Sequence, residues 1–135
     1  MVRQKIIIQE TDKPNSGNVE EEVRWICNSL GLTKGRDIDN ISFRVMYTLL
    51  NLFTKRKLIS TEELSKKLNV EPYKINHHIR SLMESGIIFR EKRKIALRGG
   101  SLSSAIEEMK RDSESLFERL LETSRKIDKL FHLHK

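Results

Sequence analysis

Ser60-Thr61-Glu62-Glu63-Leu64, then Leu68-Asn69-Val70-Glu71-Pro72-Tyr73-Lys74-Ile75-Asn76-His77-His78-Ile79-Arg80-Ser81-Leu82, then Gly86-Ile87-Ile88, spell two short amphipathic helices joined by a tight turn and closed by glycine. Ser60 with Glu63 gives the S-x-x-E spacing of a capping box, in which a hydroxyl satisfies an amide of the first turn. Leu64 and Leu68 then face inward. Asn69 suits the turn because asparagine tolerates left-handed dihedrals. Pro72 suits the first position of the second helix, where its missing N–H costs nothing. Ile75, His78, Ile79 and Leu82 make that helix's inner face at helical spacing. Gly86 stops it.

Working outward, Ile87 to Glu91 and Lys94 to Arg98 read as strands around a basic turn, Lys92-Arg93. Leu58-Ile59 reads as a very short strand. A helix from about Ile41 to Lys55 presents Ile41, Val45, Leu49, Leu52 and Phe53 on one face, and Lys55-Arg56-Lys57 suits the negative end of its dipole. Upstream, residues 3–9 carry the β-branched run Ile6-Ile7-Ile8 and read as a strand, Thr11 to Gly17 as a loop, and Leu32 to Asn40 as a linker. Between them, Val19, Val23, Ile26, Cys27 and Leu30 share one face of a helix. Asn18 suits its N-cap, Glu20 to Glu22 its first turn, and Gly31 its C′ position. Trp25 falls just off that face, placed to cover a neighbouring element or a second subunit.

After the joint Gly99-Gly100, residues from about Leu102 onward read as one long helix, capped by Ser101 or by Ser104. Leu102, Met109, Leu116, Thr123 and Leu130 fall at d positions, and Ile106, Ser113, Leu120, Ile127 and His134 at a positions. Seven of these ten are apolar, which is a coiled-coil seam. A helix of roughly 50 Å exceeds what a small domain covers. The seam residues Leu102, Ile106, Met109, Leu116, Leu120, Ile127 and Leu130 are therefore expected to form a homodimer, with folding back onto the domain as the alternative. The organisation is an extension (1–38), a central unit (39–100) and a terminal helix (101–135). The fold class is mainly α with a small β-hairpin.

Charge follows the same organisation. The 135 residues carry a net +7, yet residues 1–38 and 101–135 each sum to zero. All of the excess lies in residues 39–100, where it favours a polyanion through counterion release. One cysteine excludes an intrachain disulfide, and no run spans a bilayer. A cytoplasmic location is expected, with no membrane partner.

The stretch Thr61 to Leu68, with Val70, Ile75, His78, Ile79, Leu82, Gly86-Ile87-Ile88 and the hairpin after them, resembles winged helix-turn-helix DNA-binding regulators of the broad MarR/ArsR-like kind, archaeal in type, over residues 41–98. The resemblance implies a transcriptional regulator that places residues 72–84 in the major groove of double-stranded DNA. Such a helix needs a polar outer face and an anchored inner one. Here the outer face would be Tyr73, Lys74, His77 and Arg80, with Asn76 on its flank. Arg80 has the fork for guanine and Asn76 the amide for adenine, and Lys74 and Tyr73 suit phosphate. Ser60 or Thr61 would meet the backbone at a helix N-terminus. Arg90, Lys92, Arg93 and Lys94 would put the wing on phosphates. Glu71 departs from the pattern, standing where a serine or threonine cap is usual and an acid repels phosphate.

The alternative is a winged-helix protein-interaction module whose long terminal helix docks a partner protein. RNA is a weaker option, for aromatics are few. His77-His78 and His132-x-His134 diverge on a helix and suggest no metal site. Cys27 reads as core. No residue spacing argues for an enzyme, a cofactor or a small-molecule effector.

Overall fold

The computed structural model describes residues 1–15, 17–33 and 40–134. Its order is α1 (Val19–Ser29), α2 (Ile41–Phe53), α3 (Thr61–Leu68), α4 (Pro72–Ser85), β1 (Ile88–Glu91), β2 (Lys94–Leu97) and α5 (Leu102–Leu130). The fold is thus mainly helical, with one antiparallel hairpin and a long C-terminal helix. Most of the linker expected over Leu32 to Asn40, and Ser16 of the expected loop, lie outside the described residues.

The helix ends follow the sequence closely. Asn18 Oδ1 accepts from the Glu20 and Glu21 amides at 2.8 and 3.2 Å, where the three glutamates also favour the positive end of the dipole. At the other end of α1, Leu32 N–H reaches Cys27 O (2.9 Å) and Gly31 N–H reaches Asn28 O (3.1 Å), with Gly31 at φ +66°. These are the two bonds of a Schellman motif. Asn69 ends α3 at φ 53°, and Pro72 opens α4. Gly86 stops α4 at φ 98°. The Ser60 box forms by half: Ser60 Oγ accepts from Glu63 N at 3.1 Å, while the Glu63 carboxylate pairs with Arg56 instead.

α2 is the centre of the core. α1, α3 and α4 all pack on it, so Phe43 and Met46 are buried beside Val45, Leu49 and Leu52. Ile41 and Phe53 are only half-buried. The expected face was too narrow because a helix covered on several sides buries more than one stripe. Each fully buried Leu, Ile or Met contributes about 1.5–3 kcal/mol over its exposed state. The helix ends at Phe53, two residues before Lys55.

β1 and β2 pair from Ile88↔Leu97 to Glu91↔Lys94 around a two-residue turn. Ile59 adds a single bridge on the far side of β2, its N–H and C=O meeting Ile95 at 2.9 and 2.7 Å. The short strand expected at Leu58-Ile59 is therefore one residue long.

Residues 3–9 are not a strand, contrary to their β-branched composition. The segment lies extended across two helix ends and serves their orphan carbonyls. Lys5 N–H donates to Glu84 O (2.9 Å) on α4, and Gln9 N–H to Ser29 O (2.7 Å) on α1. The Gln9 side chain adds Asn28 O at 2.9 Å. Ile6 packs on the core, and Ile7 sits where a Cβ on Gly31 would come within 2.7 Å. Trp25 covers this N-terminal chain, its Nε1–H donating to Thr11 O at 3.3 Å.

Gly99 and Gly100, expected as a loose joint, form a tight turn with φ of 71° and 82°. Ser101, rather than Ser104, caps α5: its Oγ accepts from Ser104 N at 3.1 Å. Val23 and Cys27 of α1 and Ala105 and Met109 of α5 join the same core as α2–α4. The three sequence segments therefore share one interior.

Candidate nucleic-acid interface

α4 is anchored by Ile75, Ile79 and Leu82, which are 0, 1 and 3% exposed. His78 completes the inner face half-buried, its Nδ1 at 2.8 Å from Ser42 Oγ on α2. At 100° per residue, Tyr73, His77 and Arg80 project directly opposite this anchor. Asn76 lies on one flank and Lys74 on the other, and all five are exposed. Lys74 is therefore less central than the sequence reading placed it.

Arg90 gathers several of the expected residues. Its Nη1 donates to Thr61 Oγ1 (3.2 Å) and to Arg93 O (3.0 Å), and its Nη2 to Asn76 Oδ1 (3.3 Å). One guanidinium thus ties the first residue of α3, the flank of α4 and the hairpin turn into one surface. Asn76 is changed by this. Bidentate pairing with adenine uses both ends of an amide, and its oxygen is held by Arg90. Arg90 is better described as a residue that positions its neighbours than as a free cation. Sequence spacing carries no signal of that contact, because Thr61, Asn76 and Arg90 are distant in the chain.

Lys92, Arg93 and Lys94 are exposed at the hairpin tip. Lys92 and Arg93 have φ of 51° and 67°, so both turn residues are left-handed. A two-residue hairpin needs that geometry to match strand twist, although glycine and asparagine adopt it more readily. Ser60 spends its hydroxyl oxygen on the α3 cap. Glu71 is exposed and makes no side-chain capping bond; α4 starts instead on its carbonyl, which accepts from Lys74 N and Ile75 N.

A cleft of about 220 Å³ runs beside the C-terminal half of α4. Its walls include Lys5 and Ile7 of the N-terminal segment and His77, Arg80, Ser81 and Glu84 of α4. Lys5 was missed from the sequence because residues 3–9 read as an independent strand.

The seam residues of α5 divide into two groups. Met109 is buried and Leu102 half-buried in the chain's own core, together with Ala105, so this end of the seam is used internally. Ile106 is 36% exposed, and Leu116 is half-buried. Beyond it, Leu120, Ile127 and Leu130 are 64, 46 and 77% exposed. Phe117, Leu121 and Phe131 add to the bare face at 61, 45 and 71%. Phe117 occupies an e position, so an a/d count alone passes over it, and Phe131 is the C-cap just past the helix.

Among the described residues, no group of three or more His, Cys, Asp or Glu is placed to hold a metal, and no helix is long and apolar enough to cross a membrane. Cys27 is fully buried. No protein-family model, no curated protein and no solved structure matches this chain.

Proposed function

We propose that the chain is a homodimeric winged-helix regulator of transcription that binds double-stranded DNA. The observation that carries this reading is the Arg90 cluster, which joins Thr61, Asn76 and the basic turn into one continuous surface with the exposed face of α4. The order α2, Ile59 bridge, α3, α4, β1, turn, β2 supports it, as does the confinement of the whole +7 to residues 39–100. In this reading Tyr73, His77 and Arg80 face the major groove, and Lys92, Arg93 and Lys94 lie against phosphates. The bare half of α5 pairs with a second copy, which sets the distance between two reading helices.

The test is equilibrium binding of a labelled duplex across a salt series. Steeply salt-dependent affinity, lost when Arg80→Ala and Lys74→Ala are combined, supports the reading. Affinity indifferent to salt, or untouched by the double variant, removes it.

A second reading follows from α5 alone. Its bare face is flanked at g positions by Arg119 and Lys126, while the e position facing Arg119 in a parallel pair holds Ser124 and Phe131 lies past the helix end. A different protein with an acidic helix would satisfy that flank better than a second copy does. A monomer that ignores DNA and captures an acidic amphipathic helix would favour the docking module.

A further inference from the structure

We infer that the cleft between the N-terminal segment and α4 is a seat for a DNA backbone phosphate, with Lys5 as the cation that meets it and Arg80 adding its field from the groove side. The inference rests on the DNA-binding reading and extends the interface to a part of the chain outside the resemblance.

Length comes first. α4 has 14 residues, so it is about 21 Å long, whereas the major groove is about 12 Å wide. A recognition helix that reads bases with its N-terminal residues brings its later turns toward the groove's edge when it is tilted out of the groove. Phosphates line that edge. The later turns of α4 hold Arg80, Ser81, Glu84 and Ser85, which border the cleft together with His77.

Position comes second. Lys5 is fixed there by its backbone, through the 2.9 Å bond from its N–H to Glu84 O. Its neighbours are fixed as well. Gln4 Nε2 donates to Asp112 Oδ2 at 2.8 Å, Ile6 packs on the core, and Ile7 fills the space above Gly31. The Lys5 side chain itself is exposed. An anchored backbone spares the cost of ordering the segment on binding, leaving only the rotamer entropy of the lysine side chain to be lost.

Charge comes third. Lys5 and Arg80 supply two positive charges at the cleft, Glu84 supplies one negative, and Ser81 adds a hydroxyl donor. The balance of one positive charge suits a phosphodiester, which carries one negative charge. The apolar wall of Ile7, Leu30 and Leu32 narrows the approach without competing for the anion.

Three variants test this in duplex-binding titrations. Lys5→Ala keeps the backbone bond to Glu84, so thermal unfolding is expected to be unchanged. Its affinity should fall about three- to tenfold on every duplex alike, and the slope of log K against log salt should shrink by about 0.9. Lys5→Arg should restore both. Glu84→Gln should raise affinity several-fold, because it removes the one acid while leaving the carbonyl in place. Unchanged affinity and slope in Lys5→Ala would overturn the inference while leaving DNA binding intact. Tighter binding by Lys5→Ala would also overturn it, making the segment a shield. Saturable binding of inorganic phosphate that does not compete with duplex would assign the cleft to a free anion and overturn the DNA source. Failure of the unmodified protein to bind any duplex would remove the underlying reading as well.

Discussion

The Arg98 guanidinium spans both carboxylate oxygens of Asp112, with Nη1 to Oδ2 at 2.5 Å and Nη2 to Oδ1 at 3.2 Å. Gln4 Nε2 donates to Oδ2 as well, at 2.8 Å, and Glu108 Oε2 lies 3.4 Å from Arg98 Nε. One carboxylate on α5 thus collects the residue after β2 and the N-terminal segment. A planar fork on a carboxylate is both strong and directional, so this pair ties α5 to the turn after β2 and, through Gln4, to the N-terminal segment.

The hydrogen bond from Arg98 holds the Asp112 carboxyl below the usual aspartate range; partial burial opposes this, and the Gln4 bond adds to it. A depressed folded pKa stabilises above the unfolded value, near 4, and loses that stabilisation as pH falls through the folded value. The unmodified protein should therefore lose stability as pH drops below about 4 more steeply than Asp112→Asn does. At pH 7 the variant should be about 1–2 kcal/mol less stable, a modest figure because both side chains are about one-quarter exposed. Acid and urea unfolding of the two proteins measure this; superimposable acid curves would exclude it.

Gly86 should resist substitution. Its φ of 98° strains any residue with a side chain, and a Cβ there would lie 2.8 Å from Gln4 Nε2 and 2.9 Å from Arg98 Nη1. Gly86→Ala is expected to cost about 1–2 kcal/mol and to loosen the Arg98–Asp112 pair. Gly17→Ala is the control, since nothing lies within 4 Å of its Cβ position; it should be neutral in the same urea titration.

At the hairpin tip, stability and binding should move in opposite directions. Replacing Lys92-Arg93 by Asn-Gly relieves two left-handed non-glycine residues, which is worth about 1–2 kcal/mol in total. The same change removes two positive charges from the proposed phosphate contact. A higher melting temperature with weaker duplex binding is expected from calorimetry and titration. Equal binding by the variant would take the turn out of the interface.

How much of this was legible in the chain depends on distance. Asn18, Asn69, Pro72 and Gly86 act on their own few residues, and the sequence placed each at its helix end. The hairpin turn was readable for the same reason. Ile6-Ile7-Ile8 misled because β-branched residues favour any extended chain, and whether that chain pairs depends on a strand edge elsewhere. The segment met helix carbonyls instead. Arg90 was assigned to phosphate from its charge; its bonds to Thr61 and Asn76 span 29 and 14 residues, beyond any local pattern. α5 ends at Leu130, so His134, expected at an a position, lies beyond the helix. Only packing shows that Met109 is used internally while Leu120 is left bare.

The bare face gives its own expectation. Phe117, Leu120, Leu121, Ile127 and Leu130 stand 45–77% exposed on the outer half of α5, a run of large apolar side chains of the kind that marks an interaction surface. Phe117→Glu with Leu120→Glu should convert a dimer to a monomer in sedimentation while the melting of the core domain holds. An unmodified protein that sediments as a monomer at tens of micromolar concentration would remove the second copy from that face.

Selection of duplexes from a random pool by the unmodified protein tests the central claim most directly. A two-fold dimer presenting one α4 per subunit should enrich a roughly palindromic site, with half-sites about 10–10.5 base pairs apart or a multiple of that. Enrichment should vanish with Arg80→Ala. A pool that stays random after repeated rounds, with retention no greater than for the Arg80→Ala variant, would contradict it.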